Sequence, residues 1–100
     1  MAKVAIVLNP KDNVAVALQD IKAGSEVELK IGPQNALVTI GEPINFGHKF
    51  SLKHIEPGEP IVKYGEVIGE ATAAIEPGCH VHLHNLASRR GRGDLLKESK

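Results

Sequence analysis

His54-Ile55-Glu56-Pro57-Gly58 is the stretch that decides the fold, because its pattern, Ile-x-x-Gly, recurs at residues 20–24 and 74–78. Proline followed by glycine suits a tight turn in which proline fixes the first central residue and glycine takes a positive φ. The sequence therefore predicts the same turn three times. Because the intervals between the copies are unequal, the pattern favours one folded-ribbon or barrel-like β domain over a stacked solenoid.

The segments between these turns alternate with the period of two that is typical of strands. Valine and leucine alternate with alanine over residues 14–18, and apolar residues alternate with charged ones over residues 26–31. Glycine and proline separate four further apolar runs, at residues 36–40, 50–52, 60–63 and 67–74. A short helix over residues 12–20 is the alternative, since alanine favours helices and Asn13 is a suitable cap. We predict a mainly β domain of short strands.

The size and charge of the chain narrow its class. Its 100 residues suffice for one hydrophobic core and are too few for two. Aromatic residues make up only 3%, so aliphatic side chains must fill this core. Twelve basic and twelve acidic side chains cancel, which disfavours a nucleic-acid surface or an anionic membrane as partner. RNA binding through Arg89, Arg90 and Arg92 is also disfavoured, because aromatic residues are not interleaved with them.

The N-terminal stretch and the one cysteine predict a cytoplasmic protein. The apolar run at residues 4–8 is too short for a signal peptide or a membrane span. Cys79 is the one cysteine of the chain and cannot form an internal disulfide. On a strand it would point away from His80, its possible base, so we interpret it as a buried apolar thiol. We expect one domain over residues 1–88 and a flexible basic C-terminal tail over residues 89–100, which lacks apolar periodicity.

The run His80-Val81-His82-Leu83-His84-Asn85 is the first candidate for chemistry. On a regular strand its three imidazoles share one face. Same-face neighbours lie roughly 7 Å apart, so two imidazoles can reach one metal ion, whereas His80 and His84, about 13 Å apart, cannot share it. Either adjacent pair would need a carboxylate, water or substrate to complete its coordination. The alternative is a polar strand face that bonds to backbone, a partner or water.

A second candidate group combines glycines with polar side chains. His48 and Lys49 follow Gly47, and Lys63 and Tyr64 precede Gly65, so tight bends place cations and a hydroxyl where a carboxylate or sugar hydroxyls can bind. The structural alternative is that Lys63 is a solvated charge and Tyr64 a packing residue.

Asp12-Asn13 is the third polar group. We interpret it first as a turn or helix cap, and the alternative is a polar contact at the mouth of a binding site.

Four motifs in a fixed order resemble one family. They are Asp12-Asn13-Val14-Ala15-Val16-Ala17-Leu18, Phe46-Gly47-His48-Lys49-Phe50, Val62-Lys63-Tyr64-Gly65-Glu66-Val67-Ile68-Gly69 and His82-Leu83-His84-Asn85. This set resembles the altronate/galactarate dehydratase family, specifically its small N-terminal domain or separate small subunit, a SAF-type domain of β-clip fold. Arg90-Gly91-Arg92-Gly93-Asp94 fits the family's usual end. The resemblance covers nearly the whole chain, so a compact β-clip domain is expected.

The resemblance implies a role in sugar-acid metabolism. The family includes altronate and galactarate dehydratases and a sulfolactate sulfo-lyase, which eliminate water or sulfite from hydroxy acids. It implies a divalent metal, often iron, held mainly by a large catalytic subunit that also carries most catalytic groups. This chain is then expected to be the small subunit or N-terminal domain of a carbon-oxygen lyase, inactive alone, that helps to bind a sugar acid. A homo-oligomer is a further expectation.

The resemblance also assigns residues one by one. His82 and His84 match as metal ligands, and no residue is assigned as catalytic. The positions that match as substrate-binding residues are Asp12, Asn13, His48, Lys49, Lys63, Tyr64 and Asn85. Cys79 stands where a variable residue, often glutamate, is expected, so it has no catalytic role. Two other hypotheses are a sulfolactate sulfo-lyase small subunit and a non-enzymatic SAF-type module that binds a sugar acid or a protein.

Overall fold

The chain folds into strands joined by tight turns in a computed structural model that describes residues 4–88. Within these residues the strands are β1 (Ala5–Ile6), β2 (Val14–Ala17), β3 (Glu26–Ile31), β4 (Gln34–Thr39), β5 (Lys49–Ser51), β6 (Pro60–Lys63), β7 (Glu66–Ala71), β8 (His80–Val81) and β9 (Leu86–Ser88). The predicted mainly β class is confirmed. The predicted basic tail, residues 89–100, lies outside the described residues, as do residues 1–3.

An antiparallel four-stranded sheet, in the order β1-β2-β5-β8, forms the centre of the domain. The hairpin of β3 and β4 lies in a sheet of its own, and β6, β7 and β9 form a third. The predicted half-buried strand at residues 26–31 is confirmed, since Val27 and Leu29 are buried between exposed charged neighbours. Residues 4–88 contain no helix that could span a membrane.

The alternative of a helix over residues 12–20 is wrong, because β2 occupies its middle. The strand contributes to two hydrophobic clusters at once, so the expectation of a single core is wrong. Val14 packs into a cluster with Ile55, Ile61 and neighbours, whereas Ala15 and Ala17 pack into the cluster around Phe50. β2 is packed on both faces, and its two alanines share the face toward Phe50, where small side chains allow close packing although alanine is a good helix former.

The Ile-x-x-Gly turn occurs four times. The three predicted copies end in glycines with positive φ, at Gly24, Gly58 and Gly78. The fourth, Ile44-Asn45-Phe46-Gly47, has the same Ile-x-x-Gly pattern and ends in a glycine with φ 85°, but it was not predicted. The turns pair two by two through their isoleucines, since Ile21 bridges Ile44 and Ile55 bridges Ile75.

This pairing divides the fold into two similar halves that share β5. In the first half, the Gly47 N–H donates to the Ala17 carbonyl, and the Ala17 N–H donates to the His48 carbonyl. In the second half, the Gly78 N–H donates in the same way to the Ser51 carbonyl, and the Ser51 N–H donates to the Cys79 carbonyl. Each half therefore runs strand, turn, hairpin, turn, strand, and the second turn of each half delivers the chain into the central sheet.

Candidate functional site

Three histidines meet at the edge of the central sheet because two turns and one strand deliver them there. His48 follows the 44–47 turn, and its backbone is fixed by bonds to Asn45 and Ala17. His80 begins β8 opposite Phe50, and its N–H donates to Glu42 Oε2 at 2.9 Å. His82 lies one residue beyond β8. The backbone geometry of three separate elements thus converges on one place.

The predicted extended strand over residues 80–84 is wrong beyond Val81. β8 ends there, and residues 82–85 form a turn in which the Asn85 N–H donates to the His82 carbonyl. The Asn85 side chain closes this turn, since its Oδ1 accepts from the His82 N–H at 2.9 Å and its Nδ2 donates to the His80 carbonyl at 2.8 Å. Asparagine competes well with strand pairing because its amide satisfies nearby backbone groups.

The turn changes which imidazoles are neighbours. His80 and His84, expected about 13 Å apart on a regular strand, have ring centroids only 5.4 Å apart. The rings of His48, His80 and His82 are nearly parallel, with interplanar angles of 12–13°. Their centroids are 4.9 Å apart for His48–His80, 4.6 Å for His48–His82 and 5.3 Å for His80–His82. We call these three residues the imidazole cluster. Each offers one ring nitrogen, and these nitrogens lie within 4.8 Å of one another.

Sequence reasoning assigned His82 and His84 to a metal and His48 to substrate, and it assigned no role to His80. The structure brings His82 together with His48 and His80, which meet at 2.8 Å between Nδ1 and Nε2. The metal role of His84 stays a prediction. The His-x-His spacing contained a signal for His80, but only the tertiary approach of the 44–47 turn selects it over His84.

Burial and mutual repulsion lower the pKa of two cluster imidazoles. Burial contributes most for His80, followed by His48, His82 and His84, while Glu42 opposes the shift. For His82 the order is burial, His48, Lys49 and His84. Both changes favour the neutral imidazole, which is the form that accepts a proton or binds a metal.

Lys49 and Lys63 give this face a positive charge. Lys49 lies on β5 opposite Val81, and burial followed by repulsion from Lys63 lowers its pKa. The Lys63 ammonium lies 4.8 Å from the centroid of the Tyr64 ring, a cation–π contact. Tyr64 itself has φ 56° in the two-residue loop between β6 and β7 and is 46% exposed. The proposed substrate roles of these three residues stay predictions.

Asp12 and Asn13 tie the loop before β2 to the hairpin of β6 and β7. Asp12 Oδ1 accepts from the Gly65 N–H at 2.8 Å. Asn13 Oδ1 accepts from the Val62 N–H, and its Nδ2 donates to the Pro60 carbonyl. These bonds give both residues, and likewise Asn85, a structural role in positioning the site, whereas their predicted contact with substrate stays a prediction.

Cys79 is partly buried, not fully buried as predicted, and packs against the second core. Burial, followed by the nearby Glu42 carboxylate, raises the pKa of its thiol. A raised pKa disfavours the thiolate, so the geometry agrees with the interpretation that this cysteine is not a nucleophile.

The all-strand fold with paired Gly turns and a histidine-bearing sheet edge is consistent with a small SAF-type β-clip domain. Residues 3–89 match the family described as "Altronate/galactarate dehydratase SAF domain". The chain therefore belongs to the SAF domain family of altronate/galactarate dehydratases, and the family resemblance is confirmed.

Similar proteins include both enzymes and a separate subunit. The chain is 45% identical over 90 residues to an altronate dehydratase of Escherichia coli (strain K12), covering 90% of this chain and 17% of that protein. An altronate dehydratase of Bacillus subtilis (strain 168) is 36% identical over 80 residues, which are 80% of this chain and 15% of that protein. A (2R)-sulfolactate sulfo-lyase subunit alpha of Paracoccus pantotrophus is 40% identical over 53 residues, covering 53% and 79%. The chain thus spans less than one fifth of the two dehydratases.

Proposed function

We propose that this domain acts as the small subunit or N-terminal domain of a cytoplasmic sugar-acid dehydratase of the altronate/galactarate type. It forms one wall of an active site whose remaining groups belong to a larger catalytic part. The single observation that supports this role most is the imidazole cluster beside Lys49, because neutral imidazoles and a cation together suit a hydroxy-acid substrate. The lengths of the related dehydratases support a larger catalytic part.

The chemistry of the elimination defines what these residues do. Loss of water from a hydroxy acid removes a proton from the carbon next to a carboxylate and expels a hydroxyl from the neighbouring carbon. Lys49 and Lys63 bind the carboxylate, and Tyr64 and Asn85 orient the hydroxyls. The lowered pKa of His82 favours its neutral imidazole, which is available as a ligand, and the base that removes the proton belongs to the larger catalytic part.

The family resemblance implies a divalent metal, often iron, and the larger catalytic part holds most of its ligands. A bound divalent metal stabilises the negative charge that develops at the carboxylate during proton removal. On this chain, the donor set that fits such an ion is the imidazole cluster, since imidazole is a good ligand for iron and zinc.

Reconstitution tests the proposal. The full chain, alone and with its large catalytic partner, is assayed for elimination from altronate and galactarate. We expect no turnover by the chain alone and turnover with the partner, which His82→Ala and Lys49→Ala each reduce by roughly 100-fold or more. His54→Ala, a histidine remote from the cluster, is the matched control and keeps the activity. Full turnover by the isolated chain, or equal loss in all three variants, would contradict the proposal.

A second candidate is the small subunit of a sulfolactate sulfo-lyase. It is favoured by coverage, since the alignments span 79% and 82% of two proteins named (2R)-sulfolactate sulfo-lyase subunit alpha. The same reconstituted pair decides between the two candidates. Release of sulfite from sulfolactate supports the sulfo-lyase, and loss of water from altronate or galactarate supports the dehydratase. Binding of a sugar acid by the free chain without any turnover would identify a binding module.

A further inference from the structure

We propose that His48, His80 and His82 form a complete three-nitrogen site for one divalent cation of the borderline class, Fe²⁺, Co²⁺, Ni²⁺ or Zn²⁺. This inference rests on and deepens the proposed function, which named the cluster as the donor set for an ion, by giving this chain a site that needs no ligand atom from a partner. It replaces the sequence-based pair His82–His84 with a set that spans two turns and β8.

The spacing of the rings matches the spacing that one shared ion imposes. A nitrogen bound at about 2.1 Å places its ring centroid about 3.2 Å from the metal, so rings meeting at about 90–110° have centroids about 4.6–5.3 Å apart. The three observed separations are 4.6, 4.9 and 5.3 Å. All three pairs therefore have the spacing expected for ligands in adjacent coordination positions.

His48 and His80 face each other through their ring nitrogens and not through their ring faces. His48 Nδ1 and His80 Nε2 are 2.8 Å apart while their centroids are 4.9 Å apart in nearly parallel planes, which is an edge-to-edge contact. Two nitrogens bound to one metal at right angles would be about 3.0 Å apart. Replacing the shared proton by a metal thus requires the nitrogens to separate by a few tenths of an ångström and both rings to rotate, so that lone pairs that now point at each other converge on the ion. Small rotations bring in the third nitrogen, now within 4.8 Å.

The backbone holds the three ligands before any ion binds. His48 is fixed by the 44–47 turn, and the backbone of His80 is fixed by its bond to Glu42. The Asn85 amide bonds to the backbone of both His80 and His82, so it locks the spacing between two ligands. Such outer support is what metal-ligating histidines require for affinity.

The ligand set also selects the kind of ion. Three imidazoles contain no oxygen donor, whereas Ca²⁺ and Mg²⁺ are bound mainly by oxygen. Imidazole suits zinc, copper, iron and nickel. Three protein ligands leave at least one coordination position open, as in catalytic sites, and a carboxylate or hydroxyl oxygen of a hydroxy acid is the class of ligand that fits there.

The test titrates the full, tag-free chain with Co²⁺, followed by visible absorption, and with Zn²⁺, followed by calorimetry. We expect one ion per chain, and His48→Ala, His80→Ala and His82→Ala each weaken binding at least 100-fold. His54→Ala serves as the matched control and changes the affinity by less than fivefold. Circular dichroism of each metal-free variant verifies that it is folded.

A measurement on the unmodified chain tests the same three ligands without relying on variants that fail to fold. In NMR spectra of ¹⁵N-histidine, Zn²⁺ is expected to shift the ring nitrogens of His48, His80 and His82 and to leave those of His54 unchanged. Absence of binding, or binding that shifts only His82 and His84, would overturn the proposal. Neither result would bear on the lyase assignment, which the reconstitution assay tests separately.

Discussion

Two groups of histidines are both connected to the turn at residues 75–78, but their neighbours carry opposite charge. The imidazole cluster begins two residues after Gly78 and is surrounded by other imidazoles and Lys49. The second group is His54, which contacts Glu56 at 2.5 Å and Glu76, a residue of the turn itself, at 3.1 Å. In one group the imidazoles neighbour one another and Lys49, with Glu42 as the carboxylate that acts on His80, and in the other a single histidine bonds to two carboxylates.

This difference separates a group that awaits a ligand from one that is satisfied. His54 and its two carboxylates are exposed, and both ring nitrogens of His54 are already bonded to carboxylate oxygens. The cluster nitrogens have lone pairs and no anion in the ligand set. The presence of histidine alone therefore does not distinguish the two regions. The charge of the neighbouring side chains does, and it assigns ligand binding to the cluster.

The largest expected effect comes from Gly78→Ala, which disturbs the turn that serves both groups. Gly78 has φ 82°, and an added Cβ would overlap the carbonyl oxygen of Thr39. We expect the free energy of unfolding to fall by about 3 kcal/mol or more, measured by urea denaturation, because backbone must move.

Gly58→Ala is the matched control for this change. Gly58 occupies the same turn position with φ 90°, but nothing lies within 4 Å of its Cβ position. We expect a loss of about 1–2 kcal/mol from the left-handed conformation alone. Equal losses in the two variants would show that the contact with Thr39 does not constrain the turn.

A smaller effect, confined to the imidazole cluster, is expected from Asn85→Ala. The Asn85 amide is buried, and its two bonds hold the backbone at His80 and His82. Their loss is expected to reduce the free energy of unfolding by about 1–3 kcal/mol and to broaden the NMR signals of the His82 ring but not those of His54. Asn35→Ala, at an exposed position on β4, serves as control and is expected to change stability by less than about 0.5 kcal/mol. Unchanged His82 signals in Asn85→Ala would contradict this role.

Local patterns were enough to predict three of the turns and most of the strands, but not β1, β9 or the end of β8. The alternation at residues 26–31 and the glycines at 24, 58 and 78 act over a few residues, so they can be interpreted without knowing the fold. The fourth turn, at residues 44–47, has the same Ile-x-x-Gly pattern and was equally predictable, whereas its bridge to Ile21 depends on the tertiary fold.

The site was predictable in composition but not in arrangement. The imidazoles of residues 80–84 were predicted as a group, yet the strand was expected to continue where Asn85 folds it into a turn. His48 and His80 are 32 residues apart, and their contact follows from the pairing of β5 with β8. Spacing along one segment cannot predict such a contact, because it depends on the register between strands.

The smallest expected effects concern protonation, where the two groups are predicted to shift in opposite directions. Hydrogen bonds to Glu56 and then Glu76 raise the pKa of His54, so its stabilising contribution is present below the ordinary histidine pKa and is lost as pH rises through the raised value. Burial and then its imidazole neighbours lower the pKa of His80, so stability is lost as pH falls from the ordinary value through the lowered one. NMR titration of the ring protons in metal-free buffer measures both.

Two matched variants resolve which carboxylate dominates at His54. Glu56→Gln is expected to lower the pKa of His54 more than Glu76→Gln does, because the bond to Glu56 is the larger cause of the shift. Neither substitution is expected to shift the pKa of His80, since Glu42 is the carboxylate that acts on it. The urea midpoint should stay unchanged in both, because exposed ion pairs contribute little to stability. A parallel shift of His54 and His80 in either variant would mean that the two groups are coupled through the 75–78 turn and that their separation by charge is incomplete.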